Sequence, residues 1–101
     1  MSTDDLTPEQ QGPPATFDFL IHTLFTQALM ALGRIPNPIT NKTHKNLATA
    51  RHFVDTLKML EQKTAGNLTE DERRLLEELQ HQLRMMFMAA QEGDRTESGP
   101  S

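Results

Sequence analysis

The sequence predicts an all-α fold, a three-helix arrangement with an antiparallel hairpin of the second and third helices, between disordered N- and C-terminal tails. Three observations carry this. Apolar residues recur at spacings of three and four over three separate stretches. Good N-caps and glycines punctuate those stretches. No alternating β-branched run of strand length occurs. The 101 residues suit one domain, and the 36% apolar content lies below the usual ~45–50%. With no Cys, the chain has no disulfide, thiolate nucleophile or Cys-ligated metal. With no Trp or Tyr and five Phe, it is poor in the side chains that anchor interfaces and stack bases.

Residues 1–16, MSTDDLTPEQQGPPAT, hold three prolines, three acids and one large aliphatic, Leu6. Such a segment buries too little apolar surface to offset its ordering entropy and reads as a disordered tail. It lacks the basic and apolar regions of a signal peptide, so the expected location is cytoplasmic. The first helix is expected over 17–32, capped by Thr16 or Asp18 and stopped by Gly33. Ten of the fourteen residues from Phe19 to Leu32 are apolar, leaving a narrow polar stripe of His22, Thr23, Thr26 and Gln27. A helix of that kind is expected to be buried on several sides. It is too short for a membrane span, which needs about 18–20 apolar residues.

The connection 34–45, RIPNPITNKTHK, is long for a bundle, and Pro36 and Pro38 bias their predecessors toward extended backbone. It leaves open whether the first helix runs parallel or antiparallel to the second. Ile35 and Ile39 are expected to hook the loop onto the bundle. The second helix, 47–65, starts after Asn46 and ends before Gly66, with Leu47, Ala50, Phe53, Val54, Leu57 and Leu60 on one stripe. After the short link Gly66-Asn67-Leu68, Thr69-x-x-Glu72 forms a capping box, and the third helix is expected over 70–92 with Gly93 as its stop. Its seam is Leu76, Leu79, Leu83, Met86 and Ala90, widened by Leu75 and Phe87. Thus one helical domain, 17–92, precedes a second disordered tail, 93–101.

The runs ALMALGRIPNPIT (Ala28 to Thr40), Asn46-Leu47, MLEQKTAGNLT (Met59 to Thr69) and LRMMF (Leu83 to Phe87) together resemble a bacterial family, domain of unknown function 1844. The resemblance spans about Phe17 to Met88. It implies a small helical protein and implies no activity, cofactor or site. The methionine-rich ending departs from the family pattern, in which an aromatic residue and a valine follow LRM.

The residues that could do chemistry do not assemble into a catalytic set. Glu78-x-x-His81 has the spacing of a di-iron ligand pair, but His81 lies nearly opposite the leucine seam. His52 and Asp55 also fall on the outer side of their helix, and no histidines show metal-ligand spacing. Ser2, Ser98 and Ser101 all sit in tails. The expectation is therefore no enzyme, no cofactor and no metal.

Charge is unevenly placed: residues 1–18 carry −4, residues 19–54 carry +4 and residues 55–101 carry −4. The bases Arg34, Lys42, Lys45 and Arg51 gather at the loop and the start of the second helix, an arrangement that suits an anion. The negative total and the lack of interleaved aromatics argue against nucleic acid. The local apolar excess lies in the first helix and in Met85–Ala90. The leading expectation is thus a non-catalytic interaction or self-assembly module, binding itself or another protein through Phe19, Phe25, Leu29, Met85 and Met88. Intramolecular core is an equal reading of those five residues. The alternative function is an anion- or nucleic-acid-binding regulator that uses the four bases.

Overall fold

A computed structural model describes residues 12–97, which form α1 (Phe17–Ala31), α2 (Leu47–Lys63) and α3 (Glu70–Glu97). No strand occurs among the described residues. Each helix starts where a side chain satisfies one of its first free N–H groups. Thr16 stands in extended backbone, and its Oγ1 accepts from the Phe19 N–H at 3.0 Å. Asn46 repeats this, its Oδ1 accepting from the Thr49 N–H at 3.0 Å. At α3 the capping box is reciprocal: Glu72 N–H donates to Thr69 Oγ1 at 3.1 Å, and Thr69 N–H donates to Glu72 Oε1 at 2.8 Å.

The helix ends divide. Gly33, at φ 74°, closes α1 in a Schellman arrangement: its N–H reaches Met30 O at 3.0 Å, and Arg34 N–H reaches Leu29 O at 2.9 Å. α2 stops at Lys63, two residues before the expected end: Thr64 leaves helical backbone at φ −103°, and Gly66 follows at φ 85°. α3 overruns its expected stop. Gly93 is helical rather than left-handed, and the helix continues through Glu97. The helix expected over 70–92 is thereby longer by five residues. The expectations for residues 1–11 and 98–101 lie outside the described residues.

The core is built by all three helices, each of which packs on the other two. Ile21, Leu57, Leu76 and Leu83 are its largest fully buried side chains, each stabilising by roughly 1.5–3 kcal/mol. The α3 seam is as expected at Leu76, Leu79 and Leu83, with Phe87 buried and Met86 and Ala90 packed beside it. From α2, Ala50 and Leu57 are buried, while Leu47, Phe53, Val54 and Leu60 pack at the edge. The expectation that α1 is buried on several sides is corrected. Ile21, Ala28 and Ala31 form one buried stripe, whereas Phe19 and Leu20 are exposed. One flank facing the other two helices is all that α1 needs to complete this core.

The 34–45 connection does not use its reach. It doubles back on itself, with isolated antiparallel bridges at Leu32 with Lys45 and at Asn37 with Lys42. Asn46 N–H donates to Ala31 O at 2.7 Å, so α2 starts beside the last turn of α1. Gly33 also suits this close approach: a Cβ there would meet the Lys45 Cβ at 3.4 Å. At the tip, Asn37 Oδ1 accepts from the Ile39 N–H at 2.8 Å and Asn41 takes φ 58°. This turn directs Ile39 into solvent at 91% exposure, so the expected hook at Ile39 is wrong; Ile35 alone is half-buried.

Candidate functional site

The five residues expected to form an interaction surface separate by environment. Phe25 packs against the core, and Leu29 is half-buried. Phe19 is exposed on α1. Met85 and Met88 are each 55% exposed, which rules out intramolecular core for this pair. The reason is angular. At ~100° per residue, Met85 and Met88 lie roughly opposite the arc of Leu76, Leu79, Leu83 and Phe87 that the core already occupies. Their stripe continues to His81 on one side and Glu92 on the other, both exposed. Two further exposed apolar residues were not foreseen, Leu20 on α1 and Met59 on α2.

The four bases also separate. Lys45 forms an ion pair with Asp94, tying the loop to the far end of α3. Arg51 pairs with Asp55 one turn along α2 at 3.5 Å. Arg34 and Lys42 are exposed. Lys42 borders a cleft of about 310 Å³ where α1 ends and α2 begins, together with Gln27, Asn37, His44, Asn46 and Thr49. Met30, Ala31 and Phe53 give it an apolar floor, and no acid lines it. Sequence reasoning named Lys42 but missed His44 and the cleft, because both depend on the loop doubling back.

A second cleft, about 360 Å³, lies at the link between α2 and α3, with Leu68 and Leu76 among its lining. Two of its charged residues, Arg73 and Glu77, are paired with each other. The Arg73 guanidinium donates to both carboxylate oxygens of Glu70 and, at 2.7 Å, to Glu77. Hydrogen bonding from Arg73 holds the Glu70 carboxyl below the usual glutamate range, and the same contacts push Arg73 further up.

Glu78, His81, His52 and Asp55 are all exposed. Among the described residues, no three histidine or carboxylate side chains gather closely enough to hold a metal ion. None of the described helices is long and apolar enough to cross a membrane.

The sequence matches the family described as Domain of unknown function (DUF1844) over residues 14–89. The match covers three quarters of the chain, and the protein belongs to that family. No curated protein and no solved structure gives a match.

Proposed function

We propose that this member of the domain of unknown function 1844 family is a non-catalytic interaction module of the cytoplasm, which binds itself or another protein. The observation that carries the reading is the exposure of Met85 and Met88 on the outer face of α3, while the inner face is filled. Met is unbranched and polarisable, so a Met pair suits adaptable apolar contacts. The reading treats α2 and α3 as an antiparallel hairpin, supported by their six-residue link and shared core. That hairpin presents the outer stripe of α3 on a rigid element.

Affinity capture from native cell extract tests this, with wild type and the Met85→Glu/Met88→Glu variant run side by side. A species held by the wild type and lost from the folded variant supports the reading. Identical captures, or none, refute it.

A second reading, an anion-binding regulator, is favoured by the acid-free cleft bordered by Lys42 and His44. It predicts that inorganic pyrophosphate or a short oligonucleotide binds with a steep salt dependence, and that Lys42→Glu abolishes the binding. An absence of binding at low salt removes it.

A further inference from the structure

The outer stripe of α3 reads His81, Met85, Met88, Glu92, at spacings of four, three and four. All four side chains are exposed. The spacing is the same in either direction, but the chemistry is not: a hydrogen-bond donor ends the stripe on one side and a carboxylate on the other. Reversing one copy against another therefore matches every position. With a two-fold axis midway between Met85 and Met88, each Met85 meets Met88 of the second copy. Each His81 imidazole, a donor in either protonation state, then meets the Glu92 carboxylate of the second copy.

A parallel copy is mismatched, because it sets Glu92 against Glu92. The self-complementarity belongs to an isologous contact, in which one patch serves both subunits. Ala89, small and exposed, flanks the methionines and allows the two helices to approach closely.

We propose that α3 is the self-association surface of this protein, pairing antiparallel with α3 of a second copy through Met85 and Met88 and locked in register by His81 opposite Glu92. The inference rests on the interaction reading above and names its partner as a second copy of this chain. The shared stripe is short, about 16 Å from His81 to Glu92 at ~1.5 Å per residue. So small a contact lies at the weak end of protein interfaces, and the dimer is a reversible, concentration-dependent one.

Sedimentation equilibrium on the full chain, taken up to about 200 µM for a contact of this class, tests the pairing. The wild type is expected to dimerise, and Met85→Glu/Met88→Glu to weaken it at least ~10-fold with helix content unchanged. His81→Glu should weaken it as well, and His81→Glu combined with Glu92→Lys should restore it. Because the chain has no native Cys, Glu78→Cys accepts a single nitroxide. Antiparallel pairing separates the two labels by about 26 Å along the helices, from ~1.5 Å per residue. Parallel pairing would leave them about 10 Å apart, the interhelical distance.

A wild type that stays monomeric, a dimer indifferent to the methionine change, or a ~10 Å separation overturns the proposal. A monomer that still captures a different protein through Met85 and Met88 overturns the self-pairing and leaves the interaction reading standing.

Discussion

Truncating Leu83 and Met88, five residues apart on α3, should give very different losses of stability. Leu83 is 1% exposed among the side chains of all three helices, and Met88 is 55% exposed on the opposite arc. Leu83→Ala removes buried methyl groups and leaves a cavity, at a cost of about 2–5 kcal/mol. For a domain of this size that is a large share of a total near ~5–10 kcal/mol. Met88→Ala removes a half-solvated chain and adds a better helix former, so its cost should fall below ~1 kcal/mol. Urea unfolding followed by far-UV circular dichroism measures both. Performed at two protein concentrations, it also isolates association: the wild-type midpoint should rise with concentration, and the Met88→Ala midpoint should rise less. A Met88→Ala loss as large as that of Leu83→Ala, at both concentrations, would refute the assignment of Met88 to the outer face and with it the basis of the functional proposal.

Gly33→Ala should cost about 1–2 kcal/mol, since φ 74° is strained for an L-residue; thermal melting reads this. Thr69→Ala removes the hydroxyl that accepts from the Glu72 N–H and should cost ~1 kcal/mol, with faster hydrogen exchange confined to the first turn of α3. Asp94→Asn breaks the ion pair with Lys45 and should speed exchange beyond Gly93, while shifting global stability by less than ~1 kcal/mol. Glu70 should titrate below the ordinary ~4.3 of a glutamate by carbon-detected NMR, chiefly through its hydrogen bonds from Arg73. Since its folded pKa is lowered, its stabilising contribution is full above the unfolded value and fades as pH falls through the folded one; Arg73→Gln should remove most of the offset and leave the part that Arg74 supplies.

The helix starts were legible because a cap is a local contract: Thr16, Asn46 and Thr69 each need only an N–H three residues on. The stops were less so. Gly33 and Gly93 look alike in the sequence, yet only the first adopts positive φ. Gly33 has a long-range reason to end its helix, since Lys45 returns against it and Asn46 bonds to Ala31. Gly93 is followed by Asp94, which Lys45 engages while the helix continues. The returning loop therefore closes α1 and contacts α3 just past Gly93, and no local pattern records either contact. The same loop misled the reading of Ile39. Prolines suggested an extended crossover, whereas the turn from Asn37 to Asn41 is a local feature that the two asparagines in N-P-I-T-N could have signalled.

The outer stripe was legible in principle. Met85–Ala90 is an unbroken apolar block in the sequence. Extending the seam from Leu76, Leu79 and Leu83 at ~100° per residue assigns Met86, Phe87 and Ala90 to the core and leaves Met85 and Met88 outside it. What periodicity does not reveal is whether a neighbouring element covers the outer arc, and only the packing of α1 and α2 settles that. The bases show the converse. Their clustering was plain in the sequence, but Asp55 and Asp94 engage Arg51 and Lys45, so half of the apparent positive surface is neutralised at contact distance. An apolar stripe therefore kept its meaning on folding and a charged cluster lost half of its own. The methionines of α3 carry the functional proposal for that reason, and Lys42 carries only the second reading.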